Sequence, residues 1–337
     1  MLNVRQDTVL RSIVGEYVSH ATPVPSQTLA RQKGLHLSSA SIRSVMAELA
    51  ETGYIHRPHI SSGGIPSDKG YRYYVESLPV EAKLGEDESA WVRHRVAEVT
   101  EAVDMWARLA AELLASLVGN AAVVSTPRTE RARLKRVELV LLQGTLALLV
   151  LIFREAKTRQ RILRLPDAAS QETLTTVANK LSAAYGGSTL YGIDTAVEGA
   201  TALERQVLEA ARDVFVAEDV GRLEDPEVTG VKHLLDQPEF AQGGGLRAVL
   251  DVLEDRHSLN GVLSGIIGPL PERVVIGAEH ESDEMQRCSV VVARYGHQDG
   301  VQGYLAVVGP TRMDYARAIA SVRMLSQAMT ELVTDLR

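Results

Sequence analysis

Ser38, Ser39, Ser41, Arg43 and Ser44 crowd into one short stretch of the chain, and their types suit the gripping of a nucleic acid. The apolar positions Ile42, Val45, Met46 and Leu49 predict a helix from about Ala40 to Glu51, with Ser38 and Ser39 as N-cap hydroxyls ahead of it. The opposite face is small and polar. An arginine presented there matches a guanine edge bidentately, and the free N–H groups of the helix start favour a phosphate. Gly53 stops the helix, after which Tyr54-Ile55-His56 and Pro58-His59-Ile60 read as two short strands, with Arg57 between them and His59 in the second. The polar, glycine-rich tip from Ser61 and Ser62 to Gly64 can reach a backbone or a minor groove. Ser67, Lys69 and Arg72 open another helix, where hydroxyls and cations hold phosphates.

The elements that must position these residues lie upstream. Val9, Leu10, Ile13, Val14 and Val18 space out a first helix; Ser26, Gln27, Thr28, Leu29 and Ala30 start a second, which ends at Gly34. The order is helix, short helix, turn, recognition helix and wing, a winged helix-turn-helix. An amphipathic helix followed by a hairpin also occurs in small domains that bind no DNA. Charge favours the nucleic-acid reading: residues 1–75 hold eight Lys/Arg against five Asp/Glu, a local balance of +3, in a chain of net charge -7.

The run from Leu10 to Val75, including PSQTLARQKGLHLSSASIRSVMAELAETGYIHRPHISSGGIPSDKGYRYYV, closely resembles the N-terminal domain of the heat-inducible transcription repressors called HrcA. The resemblance resumes in GPTRMDYARAIASV at Gly309–Val322, and more faintly in LLDQPEF at Leu234–Phe240 and VVIGAEH at Val274–His280. These motifs stand in the family's order and span the chain. One departure is local: where the family commonly has Asn-Asp after the arginine of the recognition helix, this chain has Arg43-Ser44-Val45. Two potential readers of adenine and cytosine are thereby lost, which makes Arg43 a better candidate base reader than Ser44.

The 337 residues suit two or three domains, and 45% hydrophobic content supports real cores. The single Cys288 excludes an internal disulfide framework, and its apolar neighbours predict a buried strand. No secretory leader pattern opens the chain, and the apolar run Leu139–Phe153 is broken by Gln143-Gly144-Thr145 into two strands and a turn, so the expected location is the cytoplasm, with no membrane partner.

After the helix from Ser67 to about Leu78, the charged stretch Pro79–Glu88 reads as a linker. Val92, Val96, Val99, Val103, Trp106, Ala110, Leu113 and Leu117 then alternate at heptad spacing, which predicts one long helix from Ala90 to Leu117, either an intermolecular seam or a helix lying on its own sheet. Strands are expected at 121–124, 134–142, 146–153 and 161–165, helices at 167–184, 201–217 and 246–254, further strands at 274–276, 289–294 and 303–308, and a last helix at 313–333. Strands at both ends with helical material between them suggest an interrupted sheet domain. The resemblance implies the same: a GAF-like domain holding an inserted dimerising domain. The expected fold is α+β, divided as a winged helix at 1–78, a linker and long helix at 79–120, a GAF-like domain at 121–190 plus 270–337, and an inserted dimerisation domain at 191–269. The helices around Leu203, Val207 and Val214, and around Leu234 and Phe240, offer apolar faces for the dimer.

Four of the nine histidines lie in the N-terminal region, no HExxH or CxxC spacing occurs, and the glycine clusters lack the spacing of a dinucleotide fingerprint or phosphate loop. The expectation is a non-enzyme without cofactor or metal. In GPTRMDY, Pro310 ends a strand, Thr311 caps the last helix, Asp314 suits its first turn, and Arg312 seeks an acidic partner in the linker helix. The resemblance further implies a homodimer that blocks the promoters of chaperonin and DnaK-system operons. It binds an inverted repeat in double-stranded DNA there, with a GroEL-type chaperonin as partner whose diversion in heat shock releases the operator. Two other readings remain at this point: a metabolite-responsive regulator, and a chaperone-binding scaffold whose winged helix contacts protein.

Overall fold

The computed structural model describes residues 2–32, 35, 37–57, 59, 62–79, 84–97, 103–127, 132–154, 158–193, 199–221, 226–240, 245–267, 272–297 and 302–335. The N-terminal unit holds α1 (Val4–His20), α2 (Ser26–Ala30), α3 (Ser39–Glu51), β1 (Ile55–His56), β2 (Ile65–Pro66) and α4 (Asp68–Glu76). Asn3 and Gln6 close a capping box at the start of α1. Val9, Leu10, Ile13 and Val14 of α1 pack on Ile42, Met46 and Leu49 of α3 and on Leu29 of α2, all buried. β1 and β2 pair antiparallel, Ile55 with Pro66 and His56 with Ile65. The second strand therefore lies at 65–66 and not at 58–60. His59 sits in a bend, and Pro58 and Ile60 fall outside the described residues. Pro66 needs no ladder partner for its nitrogen in so short a ribbon.

The body of the protein is a five-stranded antiparallel sheet formed by β3 (Ala121–Val124), β7 (Glu227–Thr229), β8 (Glu272–Ile276), β9 (Cys288–Gly296) and β10 (Gln302–Pro310), in the order β7-β3-β10-β9-β8. Its inner strands β3, β9 and β10 bury both faces, which is why their sequences read as nearly continuous apolar runs. One face packs on α6 (Val103–Val118) and α12 (Tyr315–Asp335), the other on the region of α8 (Ala202–Gly221), α10 (Gly245–Glu254) and α11 (Arg256–Ile266). Cys288 is fully buried in β9, and desolvation pushes its thiol up to about 12.

A single long helix over 90–117 is not formed. α5 (Glu86–Ala97) and α6 are separate, and Arg317 of α12 touches both Glu88 at the start of α5 (2.6 Å) and the Leu117 carbonyl at the end of α6 (2.6 Å). A continuous helix would hold those two positions roughly 44 Å apart, far beyond one side chain, so α5 and α6 fold back on each other. Val92, Val96, Trp106, Ala110, Leu113 and Leu117 are buried within the chain; Val99 lies outside the described residues. The heptad spacing thus serves an intramolecular face.

A second, three-stranded antiparallel sheet, β4 (Leu134–Gln143), β5 (Leu146–Phe153) and β6 (Thr158–Arg164), carries α7 (Gln171–Tyr185) on one side. Its pairing departs from the expected division at 190: these strands do not join β3, whereas β7, within the expected insertion, pairs with β3 through Ala122–Thr229 and Val123–Val228. Three residues without apolar alternation gave β7 no signal in the sequence. Ala147, Leu149, Leu151 and Phe153 alternate inward along β5, and Phe153 meets Phe215 of α8 edge-on at 4.9 Å. Val207, Leu234 and Phe240, expected at a dimer contact, are buried within the chain, and Leu203 and Val214 are partly buried against the same core.

The last helix starts at Tyr315, and Asp314 rather than Thr311 caps it, its Oδ1 accepting from the Arg317 N–H at 3.1 Å. Arg312 does not reach the linker helix. It donates to Glu239 (2.5 Å), Gln237 (2.7 Å) and the Val18 carbonyl at the end of α1 (2.6 Å). On α4, Arg72 forks onto Glu279, in the short helical turn Gly277–Glu279 after β8, and donates to the Val274 carbonyl at 2.7 Å. Burial alone would push the Glu279 carboxyl up, but the Arg72 guanidinium and the Ile276 N–H outweigh it and hold the group below the usual carboxylate range. A carboxyl so depressed contributes stability that is present above the ordinary glutamate range and lost as pH falls through the folded value. Urea unfolding between about pH 6 and about pH 3 should therefore show a steeper acid loss for the unmodified chain than for Glu279→Gln.

Candidate nucleic-acid interface

α3 runs from Ser39 to Glu51 with Ser38 as its N-cap; the Ser38 Oγ accepts from the Ser41 N–H at 3.1 Å and lies 2.9 Å from the Ser41 hydroxyl. Such a cap contributes about 0.5–2 kcal/mol. Ser39 turns its hydroxyl to Ser26 at the start of α2, 3.0 Å away, and so joins the two helices at their N-terminal ends. Ile42, Val45, Met46 and Leu49 face the core, and Ser41, Arg43 and Ser44 stand exposed on the opposite side. No acidic residue occupies the first turn, so the partial positive charge of the helix start is unopposed there by a carboxylate of its own turn.

The loop between β1 and β2, where a wing was expected, differs from expectation in which part is its tip. Gly63 and Gly64 are buried, because Gly64 bridges Val24 through two backbone hydrogen bonds of 2.9 Å. A Cβ on Gly63 would lie 2.5 Å from the Pro23 carbonyl carbon, an approach only glycine tolerates. The outward part of the loop is therefore the stretch around His59 and Ser62. His59 is exposed, the Ser62 N–H donates to the His59 carbonyl at 2.9 Å, and Arg57 Nε approaches the Ser62 carbonyl at 3.4 Å. Ser61 lies outside the described residues.

Lys69 and Arg72 separate from this surface. Lys69 Nζ donates to the Thr52 carbonyl at 2.8 Å and sits 4.4 Å above the Tyr54 ring, so it closes the C-terminal end of α3. Arg72 is turned to the sheet domain and spends its guanidinium on Glu279 and Val274, which leaves it unsuited to a phosphate in this conformation. The structure thus brings Ser38, Ser41, Arg43 and Ser44 onto one helix end, gathers Arg57, His59 and Ser62 in one loop, and directs Lys69 and Arg72 elsewhere. The sequence marks Gln27 only as part of the second helix and not as a site residue; it is exposed and follows Ser26, which bonds Ser39 at the start of α3. The helix order alone could have singled it out. Among the described residues, no group of three or more His, Cys, Asp or Glu side chains could hold a metal ion, and no helix is long and apolar enough to cross a membrane.

Comparison with known proteins places these features in a family. The family model described as the HrcA protein C-terminal domain matches residues 104–319. A heat-inducible transcription repressor HrcA of Dehalococcoides mccartyi (strain CBDB1) is 37% identical over 340 residues, covering 100% of this chain and 97% of the relative. Those of Roseiflexus castenholzii and Chloroflexus aurantiacus are 35% and 34% identical, each covering 99% of this chain and 95% of its own. The crystal structure of a hypothetical protein, solved at 2.2 Å resolution, covers 100% of both chains with a TM-score of 0.63 at 23% identity and shares the mixed helix and sheet fold. The chain is a member of the HrcA family of heat-inducible transcription repressors.

If Arg43 reads a base, Arg43→Ala should cost about 1–3 kcal/mol per half-site and narrow the gap between operator and random DNA. Titrations on both DNAs check this, and an equal loss on both would reduce Arg43 to a phosphate contact.

Proposed function

We propose that this chain represses transcription by occupying an inverted-repeat operator as a homodimer, with one α3 helix in the major groove of each half-site. The observation that carries this reading is the division of α3: one face locked in the core, and Ser41, Arg43 and Ser44 exposed beside a capped, acid-free helix start. α1 to α3 followed by the β1–β2 hairpin support a winged helix-turn-helix, with Arg57, His59, Ser61 and Ser62 on the wing contacting phosphate or minor groove. Lys69 remains a phosphate candidate through its exposure; Arg72 does not. The five-stranded sheet flanked by α6 and α12 supports the GAF-like reading. On the sheet pairing, the insertion is best drawn from about residue 126 to about 226, carrying β4–β6, α7 and α8.

The dimer contact then falls on the outer face of the three-stranded sheet. Register aligns Val140 with Leu148 and Leu148 with Ile162 in one apolar row across all three strands. Val140 and Ile162 are exposed by 45% and 64%, and Leu142 by 50%. A row of that kind favours a self-complementary partner, and two-fold symmetry of the protein calls for two-fold symmetry of the operator. The targets, chaperonin and DnaK-system operons, and a GroEL-type chaperonin as folding partner, rest on the family resemblance, as does release on heat shock.

Fragments selected from random DNA by the full chain should contain an inverted repeat, and affinity for them should fall steeply with salt, because phosphate contacts release counterions. Binding that ignores sequence would sink the repressor reading. Ile162→Glu should shift the chain from dimer to monomer in analytical ultracentrifugation and weaken operator binding, since a dimer gains its second half-site at high effective concentration.

A further inference from the structure

The N-terminal unit is tied to the sheet domain by side chains at two separate places, the turn Gly277–Glu279 and the end of α1. Arg72 on α4 forks onto Glu279 and reaches the Val274 carbonyl. Asp68, one turn earlier, accepts from the Ala278 N–H at 2.9 Å. Arg312, anchored by Glu239 and Gln237, donates to the Val18 carbonyl at the far end of α1. Between these polar ties the rings of Tyr71 and Tyr315 meet at 5.6 Å. A body held at one point can swivel; one held at spaced points has a set orientation.

The joint is shaped for the Asp68 contact. Gly277 has φ +49°, and a Cβ there would lie 2.2 Å from the Asp68 carboxylate oxygen. The carboxylate therefore lies directly over this turn. Beside it a cleft of about 700 Å³ opens between α4, β8 and α12, lined by Arg72, Glu76, Glu272 and Arg323 among others. Apolar packing does not fill that side of the joint, so directional hydrogen bonds set its angle.

The ties also lie away from the reading surface. Ser67 and Lys69, at the start of α4, bond the Gly53 and Thr52 carbonyls at the C-terminal end of α3. α3 has 13 residues, so its exposed N-terminal end is about 20 Å distant along the helix axis. Holding α4 therefore leaves Ser41, Arg43 and Ser44 open while fixing where they point.

We propose that Arg72, Asp68, Gly277 and Glu279 form a positioning clamp that fixes the angle of each reading helix to the sheet domain, and thereby the half-site spacing that the dimer accepts. This rests on the repressor reading above. Moving one half-site by a base pair displaces it by about 3.4 Å and turns it by about 35°, so only a rigid joint discriminates such operators. Arg72 acts here through Glu279 and not on DNA.

The experiment uses the full chain and operators selected by it, with the half-sites then moved together or apart by one or two base pairs. The unmodified chain should prefer its selected spacing by a sizeable part of the about 10²–10⁴ that simultaneous engagement contributes. Glu279→Gln should lose most of that preference, and so should Asp68→Asn and Gly277→Ala, the last of which displaces Asp68 without changing charge. Affinity for a single half-site and the salt slope should stay as in the unmodified chain. A spacing preference retained in all three variants overturns the clamp. If Arg72→Gln lowers the salt slope by about one unit and weakens a single half-site, Arg72 is a phosphate contact and the clamp is overturned by that route. An unmodified chain that binds no DNA specifically overturns the repressor reading itself, and the clamp with it.

Discussion

The structure depends on a sheet whose inner strands have no free face. Along β3, β9 and β10, successive residues go to opposite sides: Ala121, Val123, Val290, Val292, Ala306 and Val308 to one core, Ala122, Val124, Val291, Ala293, Leu305 and Val307 to the other. A strand's period of two makes this division unavoidable once both faces are covered. The second core does not stop at α6 and α12. It runs on through Tyr315 and Tyr71 to the residues that pack α1 against α3. The unit that carries α3 therefore shares its apolar interior with the sheet, and a change in how α12 lies on the sheet must be felt by α4.

Polar groups specify how the parts of that interior meet. Tyr315 is buried, yet its hydroxyl reaches the Ser289 hydroxyl and the Thr311 carbonyl, each at 2.7 Å, and desolvation pushes its pKa upward. Arg317 ties α12 to both ends of the folded-back α5–α6 pair, and Arg312 ties the segment leading into that helix to α1. Apolar contact is tolerant of sliding, whereas a buried hydroxyl or a forked guanidinium has few satisfactory positions. The GPTRMDY segment, at the end of the central strand and the start of the longest helix, is where these demands converge.

Local features were legible in the sequence. Gln143-Gly144-Thr145 between two apolar runs foretold the β4–β5 hairpin, Gly144 taking φ +55°, and Ser38 marked a helix start through a side-chain acceptor three residues before the N–H it satisfies; the start of α7, expected at 167, lies instead at Gln171 behind the Ser170 cap. The inner face of α3 and its exposed outer face followed from periodicity alone. What failed was long-range. β7 pairs with β3 across about a hundred residues of chain with no apolar pattern of its own, so the return of the chain to the edge of the five-stranded sheet had no visible signal. The heptad positions of α5 and α6 were real, but a spacing of three and four says that a face is buried and not by what. Gly63 and Gly64 read as an open tip because glycine serves both mobile turns and close approaches, and only the neighbouring Pro23 and Val24 distinguish the two.

Lys69 and Arg72 show the same limit in terms of charge. They stand three apart on α4, and both count toward the basic balance of the N-terminal residues. Their side chains are suited to different work. A planar guanidinium can satisfy both carboxylate oxygens of Glu279 and still donate to Val274, so it is most stable where a fork and a carbonyl coincide. An ammonium is a compact charge on a flexible stem, content with one carbonyl and the face of a tyrosine ring while keeping contact with water. Net charge therefore overstates the charge left open at the surface: Arg72 counts toward the +3 of residues 1–75, yet its guanidinium is spent on Glu279. Arg43, on the outer face of α3, stays exposed.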